Sequence, residues 1–210
     1  MRLLFFGDSL TDLGRNRDKN IDNYSSYGAG YVFDVASHLY FEKPGYYTVI
    51  NRGNGGDKVT NLYDRYQEDV IDEKPDVLTI LIGVNDVWHE LGHHNGTPID
   101  VFEDTYLTML DEIKQKLPNI KIILMEPFFC DGDATRPYPE GFKAVFDYAK
   151  VVKRVAEKTG SIFIPLQDVI DESVKNGGAA QILYDGVHTN PGGARLIALR
   201  WLDEFHKLTK

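Results

Sequence analysis

The chain opens with Leu3-Leu4-Phe5-Phe6-Gly7-Asp8-Ser9-Leu10-Thr11-Asp12. Four apolar residues stop at a glycine and an aspartate, which reads as a short buried strand ending in a turn. Four further runs read the same way, at residues 47–51, 77–82, 120–125 and 162–164. They are continuous apolar blocks rather than strict alternations. Strands covered on both faces look like this, and such strands usually belong to parallel sheets. Helical stripes lie between them. Val32, Val35, Ala36 and Leu39 mark one. Val145, Tyr148, Ala149, Val152, Val155 and Ala156 mark another. A third, with Leu196, Ile197, Trp201, Phe205 and Leu208, follows Pro191, a residue suited to a first helical turn. Alternating strands and helices predict a three-layer α/β domain on a mostly parallel sheet, with its site at the carboxyl ends of the strands.

Composition narrows the function classes. The 210 residues suffice for one domain with a full-sized core, and no repeat or linker divides residues 1–210. With 42% hydrophobic and 26% charged residues the chain reads as an ordinary globular protein. A net charge of −9 argues against nucleic acid or an anionic membrane as partner, because phosphate binding needs clustered Lys and Arg. Cys130 is the single cysteine, so no intrachain disulfide forms, and it reads as a packed small hydrophobe. The apolar run after Met1-Arg2 is too short for a signal-peptide core, and no stretch approaches a membrane span. A cytoplasmic location is the expectation. Asn23-Tyr24-Ser25 and Asn95-Gly96-Thr97 then match the glycosylation pattern only by chance.

Four polar blocks fall where strands are expected to end. Ser9 follows the first. Asn51-Arg52-Gly53-Asn54-Gly55-Gly56-Asp57 follows the second. Gly83-Val84-Asn85-Asp86 follows the third, and Asp185-Gly186-Val187-His188 follows the last strand region. A parallel sheet would bring all four to one edge. A serine alcohol becomes nucleophilic when an imidazole takes its proton and a carboxylate orients that imidazole. A glycine in a tight turn can present a bare N–H, and an asparagine amide supplies another donor for a developing oxyanion. Singly, each block has an ordinary reading: Asp8, Ser9 or Asn85-Asp86 as helix caps, the glycine run and Asp185-Gly186 as turns. The spacing of a phosphate loop and the GxSxG elbow are both absent. The irregular segment from Glu126 to Glu140, rich in Pro and Gly-Asp, reads as a surface loop or a functional one.

The four blocks, in this order, resemble the SGNH hydrolases, also called the GDSL esterase family, over nearly the whole chain. The resemblance implies a flavodoxin-like α/β/α fold with a central parallel five-stranded sheet and no cofactor. It implies Ser9 as nucleophile, His188 as base and Asp185 as its partner. The oxyanion donors would be the Ser9 N–H, Gly56 and Asn85. Gly56 is preferred to Gly53 or Gly55 because the family glycine closes its block before a polar residue. Asp8, Trp88 and Tyr184 are expected to contact substrate. Residues 3–15, 83–88 and 123–128 are most similar to bacterial carbohydrate esterases that include acetylxylan esterases. That implies a small acylated carbohydrate as substrate and, in some members, ring-like homo-oligomers. Tyr184 stands where related sequences often carry tryptophan. Lysophospholipase, thioesterase and arylesterase activities occur elsewhere in the family. Aromatic residues at Tyr24, Tyr27, Trp88, Phe128, Phe129, Tyr138 and Tyr184 would suit sugar rings at a rim, with at least half of them expected in the core or a subunit contact.

A rival motif is His89-Glu90-Leu91-Gly92-His93, which matches the zinc-peptidase pattern HExxH. Ile99 stands where the longer form needs a third histidine, and Glu112 is a distant candidate ligand. Gly92 and Asn95-Gly96 read as the end of a helix, so a solvated histidine-rich loop around His89, His93 and His94 is expected instead. A non-catalytic carbohydrate-binding module is the remaining alternative, and it would have no use for a base and oxyanion donors together.

Overall fold

A computed structural model describes residues 1–18 and 23–208. Five strands, β1 (Arg2–Gly7), β2 (Thr48–Gly53), β3 (Val77–Leu81), β4 (Lys121–Met125) and β5 (Ile162–Ile164), form one sheet in the order β2-β1-β3-β4-β5. Every neighbouring pair is parallel. This is the flavodoxin-like order, whose switch point lies between β1 and β3. In chain order the helices are α1 (Ser9–Asp12), α2 (Tyr31–Glu42), α3 (Val59–Tyr66), α4 (Val84–His93), α5 (Ile99–Lys116), α6 (Pro139–Phe142), α7 (Val145–Thr159), α8 (Gln167–Gly177), α9 (Ala179–Ile182) and α10 (Pro191–Leu208).

Strand periodicity sorts the core into two layers. Leu4, Phe6, Leu78, Ile80, Ile122 and Leu124 point to the face covered by α3, α5 and α7. Leu3, Phe5, Val77, Leu81, Ile123 and Met125 point to the face covered by α2, α8 and α10. Successive side chains alternate between faces, so a strand apolar at every position must be covered twice. The rule weakens at the edges: β2 alternates between buried and open positions. The stripes of α2 and α7 are buried as their period predicts. In α10 the buried side is Ile197, Ala198, Trp201, Leu202 and Phe205, while Leu196 and Leu208 sit at its margin.

Close approach at the top of β1 needs Gly7. A Cβ there would lie 2.3 Å from the Leu81 carbonyl oxygen of β3. Trp201 fixes α10 against the opposite strand face. Its ring stacks on Phe205 with centroids 4.7 Å apart, and its Nε1–H donates to Thr79 Oγ1 at 2.9 Å. Both residues are buried, so neither polar atom can turn to water. Trp201→Phe keeps most of the apolar surface and strands the threonine hydroxyl. We expect a loss of about 1–3 kcal/mol in urea unfolding, partly recovered when Thr79→Val is added.

Candidate active site

Ser9 is the first residue of α1, immediately above β1. Asp8 caps that helix, its Oδ1 accepting from Leu10 N–H at 2.9 Å. The cap holds the sharp strand-to-helix turn and leaves Ser9 facing outward, half-buried. Ser9 Oγ lies 2.8 Å from His188 Nε2. His188 Nδ1 lies 2.7 Å from Asp185 Oδ2. With Nδ1–H donating to the carboxylate, Nε2 is left as an acceptor for the serine proton. The other Asp185 oxygen accepts the N–H groups of Val187 and His188 at 2.9 and 2.8 Å. Burial pushes the Asp185 carboxyl up, but these bonds together with His188 outweigh it and hold the group below its ordinary value.

The turn carrying Asp185 and His188 does not follow a strand, contrary to the expectation. β5 ends at Ile164, and α8 and α9 intervene. The turn reaches the sheet edge because the irregular segment after β4 braces it. Cys130 N–H donates to Gly186 O at 2.8 Å, and Ala134 N–H donates to Asp185 O at 2.8 Å. Leu183 and Thr189 close the turn with an antiparallel bridge. Cys130 is a buried free thiol whose pKa is pushed up to about 11, first by burial and then by Asp131.

The glycine-rich loop after β2 lies beside Ser9. A Cβ on Gly55 would lie 3.8 Å from Ser9 Cβ. Gly53 N–H is committed to Asn51 Oδ1 at 2.8 Å and Gly55 N–H to Asp12 Oδ2 at 3.0 Å. Gly56 adopts φ +85°, a conformation that glycine takes without strain. Asn85, in the first turn of α4, is buried and donates one amide hydrogen to Asp57 O at 3.0 Å. The Asn amide has a second N–H. Arg65 of α3 binds this region together. It donates to Gly7 O at 3.1 Å, Arg52 O at 2.9 Å, Asp57 Oδ2 at 2.7 Å and Asp69 Oδ2 at 2.7 Å. Its guanidinium also lies 4.3 Å from the Phe6 ring centre.

Ser9, Asp12, Leu13, Gly14, Tyr184 and His188 line a pocket of about 310 Å³. Tyr184 stacks on His188 with centroids 5.7 Å apart, and more than half of it remains exposed. Trp88 approaches His188 from another side, at 6.0 Å. Of the other expected rim aromatics, Phe128 is fully buried and Tyr24 is largely exposed. A second, mostly apolar groove of about 420 Å³ shares Leu13 and Gly14 with the pocket and adds Tyr24 and Phe33.

Two expectations need correction. Asp8 cannot contact substrate: it is completely buried, and its Oδ2 has no hydrogen-bond partner among the described residues. The histidine-rich segment is not a loop, since His89 and His93 lie in the last turns of α4, with His94 closing it in a left-handed conformation. Their rings are 6.4 Å apart, but the motif gathers no third ligand there among the described residues. Glu112 is held instead by Tyr63 and Tyr66.

Asp8 reads as a helix cap in the sequence and is one, but its complete burial and the inward roles of Asp12 and Asp86 escaped that reading. Asp12 receives Gly55 N–H and an ion pair from Arg17 at 2.6 Å. Asp86 receives Val59 N–H at 3.1 Å and is pushed up to about 6 by burial. Burial, helped by Asp86 and Asp57 and opposed by the Leu10 N–H, pushes Asp8 from 3.8 up to about 7. A carboxyl raised on folding holds an extra proton between those values. Its contribution is fully present below pH 4 and is lost as pH rises through about 7. Asp8→Asn keeps a capping oxygen and removes the titration. The difference in urea-unfolding stability between wild type and Asp8→Asn should swing by about 4 kcal/mol from pH 4 to pH 8, in favour of the variant at pH 8. A constant difference would mean that Asp8 does not change protonation there.

Comparison with known proteins agrees with this architecture. Residues 5–196 match the model of the GDSL-like lipase/acylhydrolase family. The chain is 35% identical over 209 residues to an acetylxylan esterase of Geobacillus stearothermophilus, an alignment covering 97% of this chain and 93% of that one. The crystal structure of that esterase superposes with a TM-score of 0.86 over the same shares. A protein crystallised as a GDSL-like lipase from Parabacteroides merdae gives a TM-score of 0.89 at 37% identity, covering 96% of this chain and 94% of that one. With one parallel sheet and the same family pattern along almost its whole length, the chain belongs to the GDSL-like lipase/acylhydrolase family and is a carboxylic ester hydrolase.

Proposed function

We propose that the protein is a metal-independent serine esterase that removes acetyl groups from carbohydrate, with xylo-oligosaccharides as the leading substrate class. The observation that carries the reading is the continuous chain from Ser9 Oγ through His188 to Asp185, at 2.8 and 2.7 Å, opening on a solvent-facing pocket. His188 Nε2 takes the Ser9 proton as Oγ attacks the acetyl carbonyl carbon. The oxyanion is held by the N–H groups of Ser9 and Gly56 and by the free amide hydrogen of Asn85. The imidazolium then protonates the departing sugar oxygen, leaving an acetyl ester on Ser9. Water, deprotonated by the same imidazole, attacks that ester, and Ser9 recovers its proton as acetate leaves. Asp185 keeps the imidazole in the working tautomer and stabilises its cation.

The substrate class rests on two supports. The Geobacillus relative is an acetylxylan esterase, and its structures include catalytic mutants with a serine, an aspartate or a histidine replaced by alanine. On this chain, Tyr184 and the groove with Tyr24 and Phe33 present aromatic faces beside the serine, the surface on which sugar rings stack.

Hydrolysis of 4-nitrophenyl acetate tests the chemistry. Activity should survive EDTA and disappear in Ser9→Ala; loss to EDTA with retention in Ser9→Ala would move the site to His89, Glu90 and His93. Asn85→Ala should lower kcat about a hundredfold or more, and an unchanged rate would remove the amide from the oxyanion site. Acetylated xylo-oligosaccharides test the substrate. Tyr184→Ala should raise KM for them while sparing 4-nitrophenyl acetate, and equal effects on both would argue against a sugar platform.

A further inference from the structure

We propose a second site, unrelated to the ester chemistry: a zinc clamp joining α2 to α10 through His38, Glu42 and His206. One donor atom from each of the three side chains falls within a span of 4.8 Å. Two imidazoles and a carboxylate form a donor set suited to a borderline divalent transition ion, with Zn²⁺ the usual occupant and water completing the tetrahedron.

The fold explains why the three meet. Each helix leaves the carboxyl edge of the sheet and runs toward the amino edge, so α2 and α10 lie side by side and parallel. Asp34 pairs with Arg195 at 3.5 Å nearer the catalytic end. One turn on from Asp34, His38 occupies the same side of α2, and Glu42 follows one turn later. On α10, His206 lies three turns beyond Arg195. His206 Nε2 already lies 3.0 Å from Glu42 Oε2, and the His38 and His206 ring centres are 6.0 Å apart. Ligand atoms around a tetrahedral zinc stand about 3.3 Å apart. Closing the present span therefore needs only side-chain movement. His38 and His206 are half-buried and Glu42 is exposed, so the ion would be reached from solvent and would keep an open position there.

The site lies at the opposite edge of the sheet from Ser9. Its role is mechanical: it ties the C-terminal helix, which carries Trp201 and Phe205 into the core, to α2. Zinc then stabilises the fold and leaves turnover unchanged.

Zinc titration of chelator-stripped protein by calorimetry tests the clamp. A background lacking the four other imidazoles (His89→Ala, His93→Ala, His94→Ala and His188→Ala together) should still bind one ion per chain, and Mg²⁺ should not bind. Adding His38→Ala or His206→Ala should weaken zinc binding at least tenfold, and Glu42→Gln should weaken it less. Zinc should raise the Tm of the wild type and leave that of His206→Ala unmoved. Anomalous scattering from a zinc-soaked crystal should place the ion between the two helices. No saturable binding in the background protein would overturn the proposal and leave an ordinary His–Glu pair. Undiminished binding after His38→Ala and His206→Ala would also overturn it.

Discussion

The site depends on one guanidinium. Arg65 reaches the last carbonyl of β1, a carbonyl of β2, and the Asp57 carboxylate that ends the glycine-rich loop. Asp57 in turn offers its carbonyl to Asn85 above β3. Three strand ends that share no sequence neighbourhood are thus held to one cation. A planar fork with five N–H groups can do this and an ammonium cannot, because the acceptors lie in fixed and different directions. Phe6 beneath it closes the remaining face. An oxyanion site gains from donors fixed before the substrate arrives. In the proposed reading that rigidity comes from Arg65, whose hydrogen bonds all go to protein groups.

Around that anchor, the sheet order does the coarse positioning. Placing β1 between β2 and β3 sets Ser9, the glycine loop and Asn85 side by side at the switch point. Asp185 and His188 arrive by another route. Their turn is delivered by the loop after β4, whose Cys130 and Ala134 amides bond to Gly186 and Asp185. The segment from 126 onward is therefore a brace for the imidazole, which explains its length and its turn residues. Ser9 and His188 thus sit on separately supported pieces of backbone and meet at 2.8 Å.

Much of this was legible in residue pattern. The apolar runs locate all five strands to within a residue or two: the inner strands β1, β3 and β4 are covered on both faces and so almost wholly apolar, while the edge strand β2, with Asn51 and Arg52, is the one whose end is missed by two residues. The stripes of α2, α7 and α10 show for the same reason. α5 carries an equally regular series in Phe102, Tyr106, Met109 and Ile113. Ser9, Asn85 and the Asp185–His188 pair stand out only by their order along the chain, since each block alone reads as an ordinary cap or turn. Asp8 was legible as a helix cap, but its burial was not, nor were the inward roles of Asp86 and Arg65. A charged residue in one dimension looks solvated. Whether it is buried depends on partners tens of residues away, as with Asp86 and the Val59 amide or Arg65 and Gly7. The extra helices before Asp185 were hidden by the assumption that every polar block ends its own strand.

Cys130 has a further meaning for anyone handling this enzyme. It is the one cysteine in the chain, it is buried, and its proton is held more tightly than that of a free thiol. Alkylating reagents act on the thiolate, so the native surface is chemically silent toward maleimides. A cysteine placed at an exposed position would be a single addressable handle for a fluorophore, a spin label or a solid support. The Asp185–His188 turn could then be watched without first replacing a buried side chain in the segment that supports it.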